Sequence, residues 1–146
     1  MQRQPSLASM GSPIPIAWAL MVGSLFLPAL NLGDTAESGI GAISLAYEQG
    51  GFYGMISSLS NLAFIATAVL FYRRPRGYIK FLLVAISLAF ALNSWWLIGS
   101  GGDDLMIGYY AWLASFAVMA MGLFVLLRAT PKLDTSTADA TDGQGE

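Results

Sequence analysis

The sequence predicts an all-α integral membrane bundle of four transmembrane helices with both termini in the cytoplasm. Three observations carry that expectation. Four apolar runs of 17 to 19 residues, Ile14 to Leu30, Met55 to Tyr72, Phe81 to Ile98 and Tyr109 to Leu127, contain no charge. At about 1.5 Å per helical residue each just spans a hydrocarbon core of about 30 Å. All seven basic residues fall on one side of such a four-pass thread: Arg3 before the first run, Arg73, Arg74, Arg76 and Lys80 between the second and third, and Arg128 and Lys132 after the fourth. The other two connections carry only acids, Asp34, Glu37 and Glu48 in one and Asp103 and Asp104 in the other. Short loops rich in Lys and Arg stay in the cytoplasm, so the basic side is inside and the acidic loops are outside.

The first twelve or so residues are polar and small, and 1–13 reads as a disordered N-terminal segment. Arg3 followed by an apolar stretch also resembles a secretory signal, but Leu27 would occupy the position three before a cut after Ala29, where a small residue is needed. An uncleaved first span, with Pro28 kinking its outer end, is the expectation. The membrane domain then covers 14–128.

Between the first and second spans, Asn31 to Gly54 is long enough for structure of its own. Its segment Ile40 to Tyr47 predicts a short helix lying along the membrane surface, with a β-hairpin as the alternative. Glycines at 39, 41, 50, 51 and 54 read as punctuation, because they match no phosphate-binding fingerprint. The loop Gly99 to Gly108 reads as a turn. After Arg128 the composition becomes polar and small, so 129–146 predicts a disordered cytoplasmic tail.

Phe52, Tyr53, Trp95, Trp96, Tyr109, Tyr110 and Trp112 cluster toward the outer interface, and Trp18, Tyr72 and Tyr78 toward the inner one, as an aromatic belt requires. With no Cys and no His, the chain has no disulfide, thiol redox centre, thiolate metal site, His-ligated haem or His acid–base pair. No Asp or Glu lies inside a run, so no intramembrane carboxylate offers a proton path. Neither a catalytic set, a metal site nor a cofactor is expected. The loop acids match no calcium-loop spacing, and Asp103-Asp104 is the pair to test for any cation effect. Arg73, Arg74, Arg76 and Lys80 set topology and meet lipid head groups; nothing resembles a nucleic-acid module.

What remains is polar and uncharged. Counted inward from the outer ends, Asn61 lies about 10 Å deep and Asn93 about 8 Å deep, with Ser24 and Ser115 at similar depth in the other spans. Amides facing lipid are costly, so these side chains should turn inward and bond across helices. Ser57, Ser60 and Asn61 share one face at i, i+3, i+4 spacing. Ala19 and Gly23, Ala85 and Ala89, and Ala111 and Ser115 repeat the four-residue spacing at which membrane helices approach closely. The polar layer is either structural glue or the wall of an outward-opening pocket lined by Asn61 and Asn93 and walled by Trp95, Trp96 and Trp112.

The segments Ser24-Leu-Phe-Leu-Pro-Ala-Leu, Gly51-Phe-Tyr-Gly and Gly108-Tyr-Tyr-Ala-Trp-Leu-Ala-Ser resemble those of small uncharacterised bacterial membrane proteins, in which Leu-Pro-Ala ends helix one and Gly-Tyr-x-x-Trp-Leu-Ala-Ser opens helix four. An Asn-Pro associated with their second helix is here Asn61-Leu62. The resemblance implies a bacterial inner-membrane location and brings no functional residue with it. The sequence therefore points to a non-catalytic interaction or accessory subunit, working as a homo-oligomer or with a membrane protein partner in the lipid bilayer. The alternative is a small solute or lipid binder or transporter that uses the outer polar layer.

Overall fold

A computed structural model of the chain describes residues 13–70, 76–99 and 101–129. Most of the two expected tails, and Tyr72, Arg73 and Arg74 of the basic connection, lie outside the described residues. The elements in order are α1 (Pro13–Phe26), β1 (Pro28–Asn31), β2 (Ala36–Ser38), α2 (Gly39–Gln49), α3 (Gly51–Ala66), a 3-10 turn (Thr67–Val69), α4 (Arg76–Gly99) and α5 (Ile107–Ala129). Three segments are long and apolar enough to cross a membrane: Gly51–Val69, Gly77–Gly99 and Ile107–Ala129.

The first helix differs from expectation. Rather than running kinked to Leu30, α1 stops at Phe26. Pro28 has no N–H to continue the ladder, its ring clashes with the carbonyl four residues back, and it drives Leu27 out of the helical region. The chain leaves as β1, which pairs antiparallel with β2, Leu30 opposite Glu37 and Asn31 opposite Ala36. Of the two alternatives for Ile40 to Tyr47 the helix is observed, as α2, while the β1–β2 hairpin lies before that segment and begins in the stretch expected to end the first span. The backbone groups freed by the proline are re-bonded: the Leu27 carbonyl accepts from Gly39 N–H at 3.0 Å, and the Ala29 carbonyl from Met106 N–H at 2.9 Å. Asn31 N–H donates to the Asp104 carbonyl at 2.8 Å and Leu30 bridges Leu105, so the two acidic connections form one cap at one end of the bundle.

Cross-helix contacts fix the helix directions. A side chain on Gly122 would meet Ile14, and one on Gly108 would meet the carbonyls of Leu27 and Pro28, so α1 and α5 are antiparallel. Asn93 meets Ser60 near the acidic cap while Tyr78 bonds the Ala66 carbonyl at 2.8 Å near the other end, so α3 and α4 are antiparallel. Trp112 reaches Asn61, and Phe116 reaches Phe64, so α3 and α5 run the same way. α4 starts at Arg76, earlier than the charge pattern suggests, and takes Lys80 into its second turn. A lysine there can extend its stem toward the interface.

In α4, Ile79, Leu82, Ile86, Ala89 and Asn93 are buried, a stripe of alternating three- and four-residue steps. Ile14, Ala17, Met21 and Ser24 form the equivalent stripe of α1. The expected Ala19 and Gly23 pair is exposed and takes no part in packing. Phe64, Phe116, Met119 and Leu123 complete the core, where Trp18 packs edge-on against Phe64 at 5.2 Å, so Trp18 is part of the interior as well as near the basic end. Outward, the order seen in soluble proteins is reversed. Ile16, Leu62, Phe81, Leu88 and Met121 are each more than half exposed, whereas Ser24, Thr67, Asn93 and Ser115 are no more than 1% exposed. An apolar exterior of this extent suits lipid as the solvent.

Candidate functional site

Beneath the acidic cap lies a cavity of about 270 Å³. It forms because α2 folds back across the mouth of the bundle. Ser38 caps α2 by accepting from Gly41 N–H at 3.3 Å, and the chain reverses at Gly50 and Gly51, the latter at φ 56°, a left-handed value that glycine adopts without a Cβ penalty. Gly54, one turn into α3, is buried directly under the Ala46 backbone. Ser58 donates to the Ile43 carbonyl at 3.2 Å and ties α2 to α3 again. Ala42, Ile43 and Ala46 of α2 thereby roof the cavity, and its walls come from the end of α1, β1, α3, α4 and α5.

The seven residues singled out in the sequence divide. Ser24, Asn61, Asn93, Trp96 and Trp112 all line the cavity. Trp95 does not: it is 67% exposed and points away from the bundle. Consecutive helical residues lie about 100° apart, and Trp96, three after Asn93, falls on the side of α4 that faces the cavity while remaining 48% exposed. Ser115 is buried outside the cavity wall and donates to its own helix, at the Trp112 carbonyl, 2.6 Å away. Ser24 likewise donates to the Met21 carbonyl at 2.7 Å, so neither serine bonds across helices.

The asparagine side chains that bond across helices form two groups. Asn93 accepts from the Ser57 hydroxyl and donates to Ser60 Oγ at 3.2 Å and to the Ala89 carbonyl at 2.7 Å, joining α3 to α4. Asn61 accepts from Trp112 Nε1 at 2.8 Å and donates to the Ser58 carbonyl at 3.0 Å, joining α3 to α5. The two asparagines occupy one region and serve different helix pairs.

Tyr53 and Tyr109 are the residues that the sequence reading assigned to the belt and the structure places in the wall. Tyr53 donates to the Leu92 carbonyl at 2.6 Å, and its ring stacks on Trp96 at 5.7 Å. Tyr109 donates to the Asn93 carbonyl at 2.6 Å and packs on Trp112 at 5.7 Å. A signal was present: Tyr53, Ser57 and Asn61 recur every four residues, and Tyr109 and Trp112 are three apart, which puts each set on one helix face. From Trp112 the rings continue inward, Trp112 to Phe116 and Phe116 to Phe64 at 5.3 Å each.

The lining contains no Asp, Glu, Lys or Arg, and among the described residues no three carboxylates converge where a metal ion could be held. The arrangement is equipped to bind an uncharged group between aromatic rings and neutral polar groups, the Gln49 and Asn61 amides among them. Comparison with family models, with curated proteins and with solved structures finds no match for this chain.

Proposed function

We propose that this chain is a four-span protein of the bacterial inner membrane, both termini cytoplasmic, which binds a small amphiphile in the cavity under α2 without catalysing a reaction. The observation that carries the reading is the cavity itself: polar groups from α3, α4 and α5 converge with four aromatic rings beneath a roof tied down by Gly54 and Ser58. Its size supports a small ligand or one end of a larger one, since an engineered apolar cavity of roughly 150 Å³ already accepts benzene. α1 serves as the fourth span. Its 14 residues rise about 21 Å, and the four of β1 add about 13 Å, together enough for the hydrocarbon core. The hairpin and the Met106 bond satisfy the β1 backbone where lipid could not.

Purification from native membranes in mild detergent, followed by lipid and protein mass spectrometry, tests the function. One neutral amphiphile enriched over the bulk lipid is expected, and lost from a folded Asn61→Leu variant. A lipid profile identical to the bulk membrane would overturn the reading. The same preparation addresses the second reading, an accessory subunit. That reading has one observation in its favour, a groove between α3 and α4 bordered by Ser60, Ala63, Ala85 and Ala89, where a partner helix could approach closely. A stoichiometric membrane protein in the eluate would support it.

Orientation is testable because the chain has no native cysteine. Single cysteines at Asp34 and Asp103 are expected to react with an impermeant maleimide on intact cells. Cysteines at Lys80 and Arg128 should react only after permeabilisation, and the opposite pattern would invert the topology.

A further inference from the structure

The bundle is closed on three of its four sides, and the remaining one decides where a ligand comes from, on the footing that the cavity is a binding site in a membrane. α1 runs along α5, with Ile14 at Gly122 and Leu27 at Gly108. The Tyr109 hydroxyl ties α5 to the Asn93 carbonyl of α4, and Tyr53 and Ser57 tie α3 to Leu92 and Asn93 of the same helix. The fourth side lies between α1 and α3, whose backbones barely approach one another.

Side chains frame a slot there. Trp18, Val22 and Leu25 of α1 share one face at i, i+4, i+7 spacing, and Trp18 crosses to Phe64 of α3, which makes a floor toward the basic end. On α3, Ser57 turns to α4, while Ser58 and Ile65, seven apart, lie on the flank turned to α1. Val22 and Ile65 are about half exposed, although helices in close contact would bury both. Above them Leu25, Ser58 and Asn61 line the cavity, so slot and cavity are continuous. α2 covers the same space from the aqueous side, seated on Gly54 and bonded to Ser58.

A ligand therefore meets a roof from water and a slot from lipid. A transmembrane helix, about 10 Å across with its side chains, is too wide to pass between Trp18 and α2, whereas an alkyl chain is one methylene wide. A charged head would be desolvated with no opposite charge in the lining. We infer that the slot is both the ligand's way in from the bilayer and its seat: one acyl chain lies between α1 and α3, with an uncharged head beneath α2, as a monoacylglycerol would provide.

The test uses the full chain in phosphatidylcholine nanodiscs and a monoacylglycerol carrying a diazirine at mid-chain, photolysed with and without excess 1-monooleoylglycerol. Peptide mass spectrometry maps the adducts. Labelling that the excess displaces is expected on Trp18, Val22, Leu25 and Ile65, about tenfold above that on the flank of α4 around Val84. Val22→Phe should narrow the slot and weaken displaceable binding about tenfold, while Val84→Phe, at a position also exposed, leaves it unchanged. Where Val22→Phe does not fold, Ile65→Phe is read in the same way from α3. Displaceable labelling spread evenly around the bundle, or indifferent to both slot variants, would overturn the lateral seat while leaving the cavity a binding site. So would disulfide-linked dimers of a Val22→Cys chain, which would mark the slot as a face between two copies. No displaceable labelling anywhere would overturn the binding reading and this inference together.

Discussion

Replacing Gly54 with valine is expected to lift α2 from the bundle, destabilise the protein by about 2 to 3 kcal/mol and abolish ligand binding. The physical reason is that the obstacle is backbone. A Cβ on Gly54 would lie 2.9 Å from the Ala46 carbonyl carbon and closer still to its oxygen, and neither atom can rotate away as a side chain would. The Ala46 carbonyl is also held in place, accepting from Gly50 N–H at 2.9 Å. Relief must come from displacement of α2 as a unit, which opens the roof and breaks the Ser58 to Ile43 bond. Gly23 provides the control. Nothing lies within 4 Å of a Cβ built there, so Gly23→Val should change stability by less than about 0.5 kcal/mol. Thermal unfolding in detergent and ligand titration of both variants check the pair. A Gly54 variant as stable and as competent as the Gly23 variant would mean that α2 is not seated as described.

That seating marks the boundary of what could be read from the residues alone. The long apolar helices were legible because length and absence of charge are one-dimensional properties. So was the presence of a helix near Ile40 to Tyr47, though not its role as a roof, since docking depends on Gly54 lying under Ala46 and the two are brought together only by the reversal at Gly50 and Gly51. Pro28 could be read as a kink or a stop, and the choice was made by hydrogen-bond partners from Gly39 and Met106 that are distant in sequence. Tyr53 and Tyr109 suit an interfacial belt and a cavity wall equally well as residue types. Their hydroxyls reach backbone carbonyls of α4, which no side-chain pattern announces. The choice between Trp95 and Trp96, by contrast, was available, because the three- and four-residue spacing that ends in buried Asn93 reaches 96 and passes 95 by, although Trp96 at the cavity wall remains 48% exposed.

The asparagines provide the sharpest separation between glue and site. Asn93→Leu is expected to cost about 2 kcal/mol, because three bonds at roughly 0.6 kcal/mol each are removed from a position that is 1% exposed. Ser57 can redirect its hydroxyl to a carbonyl of its own helix, which limits the loss to about that figure. Asn61→Leu removes a single bond across helices, from Trp112, and should cost about 0.6 to 1 kcal/mol. Its effect on binding should be the larger of its two consequences, since it replaces the amide in the cavity wall and frees Trp112 to change its tilt. Thermal melts rank the two variants by stability, and ligand titration of the folded fraction ranks them by affinity. The expected orders are opposite, Asn93→Leu worse in the first and Asn61→Leu worse in the second. A double-mutant cycle with Trp112→Phe isolates the coupling of Asn61 to the indole. Should Asn61→Leu melt as low as Asn93→Leu, the polar face would be cohesive throughout, and the cavity would be a by-product of how α2 packs rather than a place built to hold a molecule.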